Sequence, residues 1–527
     1  MSSLFKRDPE TGAVNSWLIA GTVMLATFME VLDTSIANVA LPHIAGNLSA
    51  GVDESTWVLT SYLVSNAIVL PLTGWFSTLF GRKRFYMGCV TIFTASSFLC
   101  GLAPSLPLLV VFRILQGAGG GGLQPVSQAI LVESFDRRRQ GMAMAVYGMG
   151  VVVAPIIGPT LGGWITDNYT WRWIFFINIP IGILSLVLTS LLIADPPYLV
   201  RRSLKDGMKI DYIGLGLLTV GLGFLQVMLD KGQRDDWFGS TFIVWCALLA
   251  FGGLAAAVIW ELRQKDPIVD LHLLRDRNFA VSTLTMYMLG FALYGSTVLL
   301  PILLQTLMGY TAEMSGLVLS PAGFAVLVML PIVGKLLSKF EARWLVVVGL
   351  LVLGFGTILL ARINLNISFG KIISLWMVSR LGLAFLFVPI NVMAFSYIPK
   401  QKANSATGII NLARNIGGSA GISFVTTMLD RRAQVHQQVL VGHLTPLDAR
   451  YQATLNGLAH TLMRQGSSAA TAMQQAQAML YGLLRQQSSM LAFVDNFWLL
   501  GVVCLAMIPL MFVMKKSKPQ KGPLGVH

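Results

Sequence analysis

Glu30 and Asp33 stand three residues apart in the first apolar run of the chain, within Phe28-Met29-Glu30-Val31-Leu32-Asp33-Thr34. At helical spacing such residues share nearly one face. An ionised carboxylate is costly in hydrocarbon, so acids in an apolar run normally face a cavity and mark a proton or substrate path. Desolvation and a neighbouring acid both favour the protonated form of a carboxylate. That is the chemistry of a group that takes up and returns protons near neutral pH, and both residues are candidate proton carriers. The alternative for either is a salt bridge to Arg113 or another buried arginine. Arg113 lies in the fourth apolar run, followed by Gln116 and Gly117. Its guanidinium stays charged and needs a carboxylate, carbonyls or water around it, so Arg113 is the third candidate coupling residue. Arg380 repeats it in the second half, which keeps a purely architectural brace open. All six histidines (His43, His272, His436, His443, His460 and His527) fall in loops or at the C-terminus. Proton work, if done, is left to carboxylates.

Other polar and aromatic groups in or near the apolar runs are candidates for a substrate cavity. Asn38, Asn66, Gln116, Gln124, Gln128, Asn178, Asn391 and Asn411 could each line a cavity or bridge two helices. Tyr62, Tyr147, Tyr287 and Tyr294, with Trp57, could form an aromatic wall for hydrophobic molecules or anchor span ends at the interface. In the fifth run Gly150, Ala154, Gly158 and Gly162 recur every four residues, joined by Gly163, while Pro155 and Pro159 interrupt the backbone ladder. Such a stripe allows close helix approach, and the prolines supply kinks. A pivot or seal between halves is expected there, with ordinary small-residue packing as the alternative. The Gly119–Gly122 run follows no strand, so it loosens a helix rather than cradling phosphate.

These residues must be positioned by membrane-spanning helices. Of the 527 residues 55% are hydrophobic and 12% charged, more apolar matter than one soluble core buries. Crossing the hydrocarbon takes roughly 20 apolar residues. Fourteen runs meet that need: 17–40, 56–79, 85–103, 107–132, 142–165, 174–194, 212–229, 241–261, 279–304, 315–337, 344–361, 371–396, 406–428 and 491–513. The net charge of +14 does not imply nucleic acid, because Lys and Arg gather at both termini and in alternate loops. That pattern predicts cytoplasmic termini. The four cysteines, Cys89, Cys100, Cys246 and Cys504, all sit in apolar runs, which argues against a disulfide framework.

Internal repeats divide the chain. Val39-Ala40-Leu41-Pro42 returns as Val298-Leu299-Leu300-Pro301, Leu70-Pro71 with Gly74 as Leu330-Pro331 with Gly334, and Ala154, Gly158, Gly162 as Ala413, Gly417, Gly421. Parallel repeats of this kind build transporter halves around a central site. The expected fold class is an all-α integral membrane protein with two six-helix bundles and two extra helices. Its divisions are 1–200 for the first bundle, 201–275 for a linker with the extra helices, 276–514 for the second bundle and 515–527 for a tail. The hydrophilic stretch 430–490 is expected outside, as short amphipathic helices around Leu455, Leu458 and Leu462, broken near Pro446 and Gly466.

With these motifs assembled, the chain resembles the major facilitator superfamily, and within it the fourteen-span drug:proton antiporters of the EmrB and QacA kind. Leu32-Asp33-Thr34 followed by Ile36-Ala37-Asn38-Val39-Ala40-Leu41-Pro42 is similar to the family's first-span signature, and Arg113 with Gln116-Gly117 to its fourth-span motif. Gly158-Pro159 with Gly162-Gly163 is similar to the motif that accompanies antiport, and Trp171 to Pro180 to the start of the sixth span. After the second span Gly74, Gly81, Arg82 and Lys83 fit the gate loop, but Thr78 replaces the usual acid and Leu79 the next basic residue. The resemblance implies alternating access in the inner membrane, exporting drug-like small molecules against a proton gradient with no cofactor. It also implies a periplasmic adaptor and an outer-membrane channel as partners. The alternatives are a metabolite or organic-acid exporter or symporter, or a sensor without transport. No His-Glu-x-x-His helix, Gly-x-Ser-x-Gly elbow or Cys/His metal cluster is present, which speaks against an enzyme and a metal site.

Overall fold

The computed structural model describes residues 15–135, 139–195, 211–264, 267–399, 402–442, 444–445 and 447–515. The predicted break at Pro446, the linker's start at 201–210, His443 and the tail beyond residue 515 lie outside these. In hydrocarbon every backbone N–H and C=O must be satisfied within the segment, and the apolar runs accordingly form helices. The first bundle contains α1 (Ser16–Asn47), α2 (Trp57–Phe80), α3 (Arg82–Leu102), α4 (Leu106–Ser134), α5 (Gln140–Asn168) and α6 (Asn178–Leu192). Two further helices follow, α7 (Tyr212–Lys231) and α8 (Thr241–Arg263). The second bundle contains α9 (Arg277–Ile302), α10 (Ala312–Leu336), α11 (Ala342–Leu360), α12 (Phe369–Ala394), α13 (Ala403–Val441) and α15 (Ala469–Ala506), with α14 (Ala449–Arg464) between the last two. Side chains cap several starts: Asp211 accepts from Gly214 N (2.8 Å), and Asp276 from Phe279 N (2.9 Å). Each satisfies one orphan donor of a first turn.

Among the described residues twelve helices are long and apolar enough to cross a membrane, and thirteen if α5, bent by 46° near Pro155, counts as one span. The remaining expected span, 406–428, falls in α13, which is too polar to join that count. Its buried face carries Asn404, Asn411 and Arg414 because it meets protein rather than lipid.

The repeat seen in the sequence is also a repeat of packing. α5 lies on α1 and α13 lies on α9, each through its small-residue stripe. A side chain at Gly158 would collide with Ser35, and one at Gly162 with Ile36. In the second bundle Gly417 and Gly421 meet the backbone of Tyr287 and Phe291 in the same way. The stripe of α5 therefore closes on α1 inside its own bundle, not between the halves as expected. Contacts between the halves come from α5 with α10 and from α2 with α13. There Gly141 approaches Gly334 O, and Thr160 Oγ1 meets Ser320 Oγ at 3.4 Å. The extra helix α7 rests on both α2 and α13.

The hydrophilic stretch holds the expected short helix around Leu455, Leu458 and Leu462 but differs on either side of it. α13 has 39 residues and α15 has 38, about 57–58 Å each and nearly twice the hydrocarbon thickness. Both run on beyond the bundle, because runs of Gln and Ala are good helix formers. α14 lays Leu455 and Ala459 against Ala476 of α15, and the break expected at Gly466 has φ +100°.

Candidate functional site

The two first-span acids are buried to similar depth, Glu30 at 3% and Asp33 at 2% exposure, yet they sit in different company. Asp33 forms an ion pair with Arg113, Nη1 to Oδ2 at 2.6 Å. Its other oxygen accepts from Gln116 Nε2 (3.0 Å) and Asn178 Nδ2 (2.7 Å). Arg113 also donates from Nε to Val58 O (3.0 Å) and from Nη1 to Gln116 Oε1 (2.8 Å). Both carboxamides donate to Ser97 Oγ, at 3.2 and 2.9 Å. Helices α1, α2, α3, α4 and α6 are thus tied together around one buried ion pair, inside the first bundle.

Glu30, one turn earlier, has no ion pair among the described residues, and Arg414 reaches it only through Gln124. It accepts from Tyr62 Oη (3.1 Å), from Asn66 Nδ2 (3.3 Å) and from Gln124 Nε2. Gln124 in turn accepts through its oxygen from Arg414 Nη2 of α13. Asn66 is also met across the interface, by Asn415 Nδ2 at 3.4 Å. Glu30 is therefore the acid whose hydrogen bonds lead into the other half. Tyr62 joins the two acids physically, because its hydroxyl reaches Glu30 while its ring lies 4.2 Å beneath the Arg113 guanidinium. A cation over an aromatic face is attracted by the ring quadrupole.

A second polar cluster crosses the interface close by. Gln128 donates to Asn391 Oδ1 and accepts from Asn411 Nδ2 (2.9 Å), while Asn391 Nδ2 donates to Phe387 O (2.7 Å). Tyr147 stacks on Phe387 with centroids 5.9 Å apart, and Arg414 stands over the other partner of that stack, 5.8 Å from the Phe387 ring. Tyr147 Oη donates to Gln124 O at 3.4 Å. The structure thus gathers Glu30, Tyr62, Asn66, Gln124, Gln128, Tyr147, Asn391 and Asn411 at the junction of the halves. Gln116 belongs instead to the Asp33 cluster.

Of the other predicted cavity residues, Asn38 and Tyr287 stand apart, while Tyr294 adjoins the interface cluster within electrostatic reach of Glu30, Arg414 and Tyr147. Asn38 is exposed and its Nδ2 donates to Thr34 O of its own helix (3.0 Å), so it joins neither cluster. Tyr287 and Tyr294 are partly buried on α9, where their backbone and ring pack against Gly417 and Gly418. In the stripe, Ser35 Oγ donates to the free carbonyl of Pro155 (3.1 Å). Pro159 supplies no backbone N–H at the fourth place after Pro155, which leaves that carbonyl for Ser35. Gly150 lies beside Met24, Gly163 touches only Val39, and Ala154 is fully buried.

At the gate loop Gly81 adopts φ +82° between α2 and α3, a conformation glycine takes without penalty. Arg82 is buried and ion-paired with Glu133 at the end of α4. Asp195 accepts from Lys83 N at 2.8 Å. The acid missing at Thr78 is thus supplied by other segments. Gly74 packs on Ser405, and Asn404, with its amide oxygen turned inward, accepts from Arg82 Nε at 3.1 Å. This end of the interface is closed by α2 on α13.

Arg414 was missed by sequence reasoning. Its signal was available, since an arginine in an expected span demands a partner. Which partner is a matter of the folded interface. No group of three or more His, Cys, Asp or Glu that could hold a metal occurs among the described residues.

Comparison with known proteins follows this geometry. The chain is 38% identical to the fatty acid resistance protein FarB of Neisseria gonorrhoeae, over 96% of this chain and 97% of the relative. It is 39% identical to the multidrug export protein EmrB of Haemophilus influenzae, over 96% of each. It is 35% identical to EmrB of Escherichia coli K12, over 95% of each. Among solved structures it is similar to the proton:xylose symporter XylE, with TM-score 0.61 and 15% identity over 96% of this chain and 97% of that one, a likeness of fold alone. The family model described as Major Facilitator Superfamily matches residues 23–422. By that coverage and those relatives, the chain belongs to the major facilitator superfamily.

Proposed function

We propose that this multi-pass inner-membrane protein exports hydrophobic and amphipathic small molecules in exchange for protons, and that Glu30 carries the exchanged proton. The observation that carries the reading is the contrast between the two acids. A proton on Asp33 would leave Arg113 without its counter-charge in the bundle, and breaking a buried ion pair is strongly unfavourable. A proton on Glu30 meets a phenol and two carboxamides directly, groups that can turn to accept or donate, with Arg414 held one group away beyond Gln124. Because Gln124 passes the contact on to Arg414, the charge on Glu30 bears on the grip between α4 and α13. Protonation loosens that grip and lets the halves rock; substrate release and deprotonation restore it.

The full-length similarity to multidrug export proteins supports drug-like substrates, and transport rather than catalysis. Counting α13 gives fourteen spans with both termini cytoplasmic, which agrees with the placement of Lys and Arg. In that arrangement residues 1–200 and 276–514 act as the moving halves, with 201–275 beside them, and the end closed by Gly74, Gly81 and Arg82 faces the cytoplasm. The extensions of α13 and α15 then stand in the periplasm, where they offer a surface to an adaptor leading to an outer-membrane channel. No cofactor is required beyond the proton gradient.

The test is transport of ethidium and other dyes in proteoliposomes under an imposed pH gradient. The reading expects accumulation on the acid side, abolished by a protonophore. Accumulation on the alkaline side would replace it with symport, and transport indifferent to the gradient would remove proton coupling.

A further inference from the structure

Arg380 sits in α12 with 0% exposure, and its surroundings differ from those of Arg113. Arg113 has a carboxylate, a carboxamide and a carbonyl as acceptors, and leaves only Nη2 without one. Arg380 has no ion pair among the described residues. Its one hydrogen bond runs from Nη2 to Ser296 Oγ of α9 at 3.0 Å, and that hydroxyl's own proton goes to Ala292 O. Nε and Nη1 of Arg380 have no acceptor, and neither does the indole Nε1 of Trp376 one turn away. The guanidinium carbon lies over that indole, 3.7 Å from its centroid, and Trp376 is itself 1% exposed in a cluster with Leu299, Leu300, Phe497 and Leu500. A stacked guanidinium in apolar surroundings is held in place but not neutralised, and a buried charge without a counter-charge is costly. Two guanidinium donors without acceptors beside an indole N–H form a donor set that fits the oxygens of a carboxylate.

The position also suits a molecule in transit. Phe387 and Asn391 follow Arg380 by seven and eleven residues, so at about 100° per residue each projects within about 20° of Arg380, one to either side. Phe387 and Asn391 meet the first half through Tyr147 and Gln128. Arg380 thus lies on the same side of α12 as the residues that meet the first half, set deeper among α9 and its own helix.

We infer that Arg380, with Trp376 and Ser296, is an anion-recognition subsite that takes the acid head of an amphipathic substrate when the halves part. The inference rests on the exporter reading and narrows its substrate class to include monoanionic acids. A free halide shares the charge but lacks an apolar tail to pack against the surrounding leucines and phenylalanines, so the carboxylate is the better-matched occupant.

The experiment uses the full chain in nanodiscs of zwitterionic lipid, in chloride-free gluconate buffer at pH 8. Fluorescence polarisation follows binding of 1-pyrenebutyrate and of its neutral counterpart 1-pyrenebutanol. The expected result is roughly 10- to 100-fold tighter binding of the acid, the loss expected for a charge-assisted hydrogen-bonded head. Arg380→Gln removes the preference by weakening the acid alone, and Arg380→Lys restores part of it, since the charge returns without the fork. Displacement of the acid by 0.15 M chloride supports the same site with the halide as a second source of its ligand. Equal binding of acid and alcohol by the wild type overturns the inference, as does a preference that survives in Arg380→Gln. If Arg380→Gln does not reach the membrane, the wild-type ratio decides. Ethidium transport by the same preparation separates the two readings. Wild-type transport without acid preference removes the subsite alone, and acid preference without transport removes the exporter reading alone.

Discussion

Replacing Asp33 by Asn tests the division of labour between the two acids. The side chain keeps its shape, but a charge and one acceptor are lost. Asp33 receives three donors, Arg113 Nη1 at 2.6 Å, Gln116 Nε2 at 3.0 Å and Asn178 Nδ2 at 2.7 Å. An asparagine can offer its single oxygen to Arg113 only by turning its own NH2 towards the other two donors. The fully buried guanidinium is then left uncompensated, a loss of about 3–5 kcal/mol. Spread over a bundle of that size, at about 2–4 °C per kcal/mol, the apparent melting temperature falls on the order of 10 °C. The four buried free cysteines suit a thiol-reactive fluorophore read during heating, because Cys89 and Cys100 report the first bundle directly. Arg113→Gln is expected to fall similarly, and the double variant Asp33→Asn/Arg113→Gln to recover part of the loss, since no lone charge remains. An Asp33→Asn protein that melts within about 2 °C of the wild type, or a double variant whose losses simply add, would refute the view of Asp33 as the bundle's fixed ion-pair partner.

Gly158→Val should abolish transport while the protein still reaches the membrane at reduced level. Its Cβ would collide with Ser35, and overpacking of this kind costs about 1–3 kcal/mol; normal dye efflux from intact cells would contradict it. Gln128→Ala leaves Asn391 and Asn411 short of a partner across the interface, at about 1–3 kcal/mol per orphaned group. It is expected to shift the halves apart, read as faster labelling of a cysteine placed at Gln128's neighbour Gln124; unchanged labelling speaks against an interfacial role. Arg82→Gln strands Glu133 and should weaken transport severalfold, with partial recovery in Arg82→Gln/Glu133→Gln. Lack of any recovery would mean that Arg82 acts through Asn404 instead.

Much of this was legible in the chain. The apolar runs had to become helices because lipid offers the backbone no partner, and the repeated Ala-Gly-Gly ladder implied two similar halves, though not that each stripe would close on the first helix of its own bundle. The acids and Arg113 announced themselves by their cost in hydrocarbon. What spacing could not reveal was which acid met which partner. Glu30 and Asp33 carry the same signal three residues apart, and their difference arises from α4, which brings Arg113 to one and Gln124, eleven residues further on, to the other. Arg414 reaches Gln124 from 290 positions away, a pairing that only the closed interface creates. α13, read in the sequence as the span 406–428, is too polar to count with the twelve apolar helices because its polar face is satisfied by protein. The stretch 430–490 read as a loop with short helices because hydrophilicity was the visible feature, while its Gln- and Ala-rich composition quietly favoured continuing α13 and α15.

The most direct measurement is proton release on substrate binding, followed with a pH-sensitive dye in weakly buffered detergent solution as ethidium is added to purified protein. The account predicts about one proton released by the wild type, none by Glu30→Gln, and release retained by whatever fraction of Asp33→Asn stays folded. Release that persists in Glu30→Gln and vanishes in folded Asp33→Asn would contradict it and move the exchanged proton to the ion pair with Arg113.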